Sequence, residues 1–147
     1  LRAGRGLYRE GQSAEALVEY RRGLEHAPEH PALLSEAAKI AMRVRERELA
    51  RELCMRYTER YPADSGFLYY TALVLKQNGD YEAAADFGER CRLREPQNVN
   101  NLLNLADIYR MDGNRERAGL MLNLAREHEP KNEKLQQLDQ LLSRSEH

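Results

Sequence analysis

His26 and His30 stand four residues apart, the spacing at which two imidazoles on one helix face can grip a metal ion. Pro28 lies between them and Pro31 follows, so no continuous helix carries both, and no cysteine or third histidine lies nearby to complete a ligand set. Cys54 and Cys91 form neither a metal motif nor a disulfide framework. Each falls inside an apolar-periodic segment, where a cysteine behaves as a small buried hydrophobe. That usage fits a reducing compartment, the cytoplasm ahead of the periplasm. There is no phosphate-cradling glycine loop, no H-E-x-x-H, no C-x-x-C and no nucleophile elbow. Carboxylates are scattered along solvent faces and give no acid–base pair. These residues lead to the expectation of no enzyme, no metal and no cofactor.

Whole-chain properties narrow the alternatives. The formal net charge is −1 although charged residues make up 32% of the 147, so overall charge selects neither nucleic acid nor a membrane surface as partner. No apolar run approaches the length of a transmembrane helix, and no basic-then-apolar signal peptide is present. The chain starts at Leu1 rather than Met, which leads us to expect a piece of a longer protein.

The elements that would position any site are fixed by a repeat. Four of the five prolines, Pro28, Pro62, Pro96 and Pro130, stand 34 residues apart. This period divides the chain into frames 1–30 (lacking its first four positions), 31–64, 65–98 and 99–132, and such internal periods signal stacked units. Position 8 of the frames is Gly4, Ala38, Ala72 and Ala106, and position 20 is Ala16, Ala50, Ala84 and Ala118. Small side chains there permit close helix approach. Position 15 is Gly11, Gly79 and Gly113, with Arg45 as the departure; glycine tolerates the positive φ that ends one helix. Proline then stops the second helix of each frame. Apolar residues recur at three and four, with Leu102, Leu105, Ala106 and Tyr109 on one face and Ala118, Leu122 and Ala125 on the next, so each frame reads as helix, turn, helix, stop. His26 and His128 share one repeat position with Arg60 and Arg94, where the helix macrodipole favours such groups.

Positions 24 and 27 never combine two large residues: Tyr20 with Gly23, Cys54 with Tyr57, Gly88 with Cys91, Leu122 with Ala125. The pair around Gly88 is smallest and needs a filler, for which neighbouring Phe87 is the expectation. Residues 133–147 carry a stripe of Leu135, Leu138, Leu141 and Leu142, with Gln140 where the frames have Gly or Ala. This segment reads as a capping helix, which solenoids need at an open end.

With Leu102, Ala106, Tyr109, Gly113, Ala118, Leu122, Ala125 and Pro130 in place, the pattern resembles the tetratricopeptide repeat. The match runs from Leu1 to Asn132, without the tryptophan of position 4, which is Leu34, Leu68 and Leu102 here. The resemblance implies an all-α fold, an α-solenoid of antiparallel helix pairs wound as a right-handed superhelix. It also implies that first helices line a concave face. The residues placed there would be Arg5, Tyr8, Arg9, Ser35, Lys39, Met42, Arg43, Tyr69, Leu73, Lys76, Asn100, Leu103, Asp107, Arg110 and Met111. Six are basic and one acidic, a segregation that would draw an acidic or C-terminal peptide segment.

Relatives that hold chaperone C-termini use a carboxylate clamp. One register offers Leu1, Arg5, Glu36, Gly66 and Tyr70, and the next offers Ser35, Lys39, Tyr70, Asn100 and Asn104. Neither matches. The expectation is therefore a protein–protein interaction scaffold that takes a partner protein or peptide, as a module of a larger assembly or secretion protein. Two alternatives stand beside it: a regulatory or targeting segment of a larger enzyme, and a solenoid that binds an anionic polymer. The near-neutral total and few groove aromatics weigh against nucleic acid.

Overall fold

The structure, a computed structural model, describes residues 12–144. Among them eight helices follow one another and no strand occurs: α1 (Ser13–His26), α2 (Pro31–Arg43), α3 (Arg47–Arg60), α4 (Ser65–Gln77), α5 (Tyr81–Arg94), α6 (Val99–Met111), α7 (Arg115–His128) and α8 (Glu133–Arg144). Helices α2, α4 and α6 have 13 residues each and begin 34 residues apart. Helices α1, α3, α5 and α7 have 14 each. Gly4 and Gly11 lie outside the described residues.

Each proline stops its helix through the residue before it. Ala27, Tyr61, Glu95 and Glu129 take φ between −125 and −139° and ψ between 65 and 74°, outside the helical region that a following proline disfavours. The backbone N–H groups of His30, Asp64, Asn98 and Asn132 then donate to the carbonyls of those same four residues, at 3.1 to 3.3 Å. The side chains of this second set cap the next helix. His30 Nδ1 accepts from the Leu33 N–H at 3.3 Å, and Asp64, Asn98 and Asn132 accept from Phe67, Asn101 and Leu135 at 3.1 Å. Each cap satisfies one of the donors a helix start leaves open. His30, a metal candidate by spacing, is thus a helix cap.

The turns within the helix pairs are alike even where the sequence is not. Asp80, Asn114 and Glu46 N–H groups reach back to Leu75, Tyr109 and Ala41, while Gly79, Gly113 and Arg45 N–H groups bond to Lys76, Arg110 and Met42. This is the paired closure of a Schellman motif. It demands a left-handed residue, and Arg45 takes φ 63° where Gly79 takes 80° and Gly113 takes 82°. The missing glycine changes the strain and leaves the turn intact.

The chain packs as two compact units, Leu1–Phe67 and Leu68–His147, with the boundary inside α4. In the first, α2 packs against α1 and α3. Ala16 and Tyr20 meet a core that includes Leu34, Ala38, Ala50, Leu53 and Cys54. Gly23 leaves room for Leu33, whose Cδ1 would stand 3.1 Å from a Cβ at that glycine. Tyr57 stacks on Phe67 with ring centroids 4.1 Å apart and donates its hydroxyl to Asp64. Burial, with Asp64 beside it, pushes the Tyr57 phenol up to about 12.

In the second unit α6 is the most enclosed helix: Val99, every residue from Asn101 to Ala106, Ile108 and Tyr109 are buried. Ala106, Ala118, Leu122 and Ala125 join Leu135 and Leu138 in one cluster. Cys91 is fully buried, and burial together with Glu95 pushes its thiol up to about 11. The space beside Gly88 is taken by Leu105 of α6, whose Cδ2 would lie 2.5 Å from a Cβ there. Phe87, expected from the sequence as the filler, is instead covered by Arg90, 4.6 Å above its ring. Asn101 Nδ2 seals the contact by donating to the Gly88 carbonyl at 2.9 Å. Tyr109 donates to Glu89 at 2.7 Å; burial and that carboxylate push its phenol up to about 12.

Helix α8 packs on α6 and α7. Its stripe is narrower than the four leucines of the sequence: Leu135 and Leu138 are buried, Leu142 lies at the edge, and Leu141 is exposed. At 3.6 residues per turn Leu142 returns to the azimuth of Leu135 while Leu141 falls about 120° away. Arg126 pairs with Asp139, and Arg115 Nη2 donates to the Leu142 carbonyl at 2.6 Å. Gln140 is exposed.

Candidate functional site

The first helix of each pair buries one face and leaves another open. On α2 the buried positions are Leu33, Leu34, Ala37, Ala38, Ile40 and Ala41. Ser35, Lys39, Met42 and Arg43 recur at i, i+4, i+7 and i+8, one face of a helix. Lys39 and Arg43 are exposed there, and Met42 is half-buried. Ser35 donates its hydroxyl to the Ala32 carbonyl at 3.3 Å. Arg5, Tyr8 and Arg9 fall outside the described residues.

In the second unit, Tyr69, Leu73 and Lys76 recur at i, i+4 and i+7 on α4, and Asn100, Asp107, Arg110 and Met111 at i, i+7, i+10 and i+11 on α6. The link is direct. Lys76 Nζ donates to Asp107 Oδ2 at 3.0 Å, and Arg110 donates to Asp107 Oδ1 from Nη2 at 2.7 Å and from Nε at 3.2 Å. Side-chain exposures are 13% for Lys76, 16% for Asp107 and 29% for Arg110. Burial works against the Asp107 carboxylate, but the hydrogen bonds from Arg110 and Lys76 outweigh it and hold its carboxyl below the ordinary value. On α4 Tyr69 and Leu73 are half-buried, and on α6 Asn100 and Met111 are exposed. Burial, with Cys91 behind it, raises the Tyr69 phenol.

Two sequence expectations change here. Leu103 is 1% exposed and belongs to the core of α6, because α7 and α8 both pack on that helix. Lys76 is not a solvated cation but is tied to Asp107, so the basic row carries less open charge than its sequence. The buried amides were missed altogether. Asn101 and Asn104 are fully buried, and neither amide atom of Asn104 has a hydrogen-bonding partner within the protein. Polar residues inside an apolar run were the available signal. Among the described residues, no group of three or more His, Cys, Asp or Glu side chains is placed to hold a metal ion. Nor is any helix there long and apolar enough to cross a membrane.

Residues 75–142 match the family model for the tetratricopeptide repeat. That stretch is tetratricopeptide-like. Solved structures share the arrangement well beyond those residues. A structure of MamA superposes with a TM-score of 0.88 at 16% identity, covering 97% of this chain and 84% of that one. YrrB, described as a tetratricopeptide repeat protein with an unusual peptide-binding site, gives 0.85 at 19% identity over 94% and 71%. A tetratricopeptide repeat protein from Parabacteroides merdae gives 0.83 at 22% identity over 95% and 54%. Identities this low establish a shared tetratricopeptide fold. No curated protein matches by sequence. Arrays of this family are interaction scaffolds as a rule and seldom enzymes.

Proposed function

We propose that this chain is a non-catalytic scaffold that receives a peptide segment or a partner protein on the open faces of its first helices, as a module of a larger assembly or secretion protein. On this reading residues 1–132 are four units of a 34-residue repeat, the first lacking its initial four positions, and residues 133–147 form the C-terminal cap. The observation that carries the reading is the open face shared by α4 and α6. It sets fixed charges, Lys76, Asp107 and Arg110, on helices that also carry the half-buried side chains of Tyr69 and Leu73. A surface of this kind, apolar with a few placed polar groups, fits a ligand better than bulk water. It lacks the paired nucleophile and base that chemistry would need.

The test is affinity capture with the full chain, compared across variants. Lys39→Glu and Tyr69→Ala change the open faces of α2 and α4, while Leu93→Glu alters an 84% exposed residue of α5. Capture should fall with at least one of the first two and be kept with the third. Loss with Leu93→Glu alone would place the binding surface on the second helices and overturn the reading.

A further inference from the structure

We infer that the Lys76–Asp107–Arg110 group is a receptor for one acidic side chain, an Asp or Glu in the middle of a partner's peptide segment. This rests on the open-face reading above. The group holds two cations and one carboxylate, and neither α4 nor α6 carries another acid. It therefore carries one uncompensated positive charge where water reaches each side chain only in part. Partial burial strengthens the attraction for an incoming carboxylate relative to an exposed lysine.

The donor arithmetic agrees. A guanidinium has five N–H donors, and Arg110 directs two of them, from Nε and Nη2, at Asp107. The remaining N–H groups can meet a carboxylate two at a time. Lys76 uses one of its three donors on Asp107. Asp107 holds both cations in place before any ligand arrives, which reduces the ordering needed on binding.

An acidic side chain fits better than a C-terminus. Asp107 is committed to Lys76 and Arg110, so the group presents donors. A chain terminus brings its own backbone N–H close beside its carboxylate, donor against donor. A side-chain carboxylate stands off from its backbone by one or two methylenes, which Leu73 and Met111 can cover.

The probe is a library of short random peptides, displayed with blocked C-termini and panned on the full chain. Bound peptides should be enriched in Asp or Glu next to an apolar residue. Changing that acid to Gln or Asn should weaken binding about tenfold. On the Arg110→Gln chain the same change should make little difference, and Arg110→Lys should fall between. Thermal melts of both variants check folding. If bound peptides show no acidic preference yet lose binding on Tyr69→Ala, this inference fails and the open-face reading stands. An acidic preference unaltered in Arg110→Gln also sinks it. Equal binding by a Gln peptide with a free C-terminus would assign the group to chain ends and overturn the choice of side chain. A library from which nothing is enriched would overturn both.

Discussion

Replacing Gly88 by Ala should reverse the sign of its effect according to what stands at position 105. A glycine inside a helix is normally worse than alanine by about 1 kcal/mol, so a mid-helix Gly→Ala change usually stabilises. Here the new Cβ would meet Leu105 Cδ2 at 2.5 Å and Cγ at 2.8 Å. Leu105 is fully buried and has little room to retreat, and overpacking of this sort costs about 1 to 3 kcal/mol. The expected net loss for Gly88→Ala is therefore about 1 kcal/mol. Leu105→Ala alone should cost about 2 to 5 kcal/mol, part of it for the cavity left behind. In that background the clash is gone, the new methyl occupies some of the vacated space, and Gly88→Ala should stabilise by about 1 kcal/mol. The coupling between the two changes is thus about 2 kcal/mol. Urea unfolding of the four chains, followed by circular dichroism with slopes compared for constancy, measures it. Additive effects, or a Gly88→Ala chain more stable than the parent, would refute the packing assigned to this contact.

Three further outcomes are expected. Arg45→Gly should raise stability by about 0.5 to 1 kcal/mol, because relief of a left-handed arginine exceeds the added flexibility of glycine; an unchanged melting midpoint would count against strain in that turn. In an alkaline absorbance titration two of the eight tyrosines should ionise late, near 12, with Tyr57→Phe and Tyr109→Phe each deleting one. Because folding raises both values, the stability they contribute is whole below the unfolded value of 10.0 and drains away as pH climbs through about 12, so unfolding midpoints should fall over that window and fall less in the double variant. Asn104→Leu should stabilise by about 1 to 3 kcal/mol, since a similar volume replaces a buried amide with no partner; a destabilised chain would show that this amide makes a bond it is not credited with.

Backbone requirements were the readable part of the fold. A residue before proline cannot stay helical, and a close helix crossing admits only a small side chain, so Pro28, Pro62, Pro96, Pro130 and the alanines at 16, 50, 84 and 118 announce themselves by type. Arg45 shows the limit of that logic, because a left-handed turn favours glycine without requiring it. His30 shows another: the capping role was written in the series His30, Asp64, Asn98, Asn132, but a histidine attracts a metal reading first. Long-range partners were not readable. Nothing in residue spacing says that Leu105 rather than Phe87 meets Gly88, or that Lys76 folds onto Asp107. The family resemblance likewise put Leu103 on a surface that further helices cover.

The turns that join the helix pairs share one architecture, whereas the side chains meeting just beyond them do not. Gly23 receives Leu33, Tyr57 receives Phe67, and Gly88 receives Leu105. The turns would let any pair follow any other, but these contacts do not interchange: Gly23 and Gly88 each leave room for a leucine, whereas Tyr57 meets Phe67 ring to ring. Volume at these contacts thus works as a serial key. Pairs could be duplicated by simple recombination at the prolines, yet a shuffled chain would carry a void at one joint and a clash at another. The order of the array is therefore written into its packing.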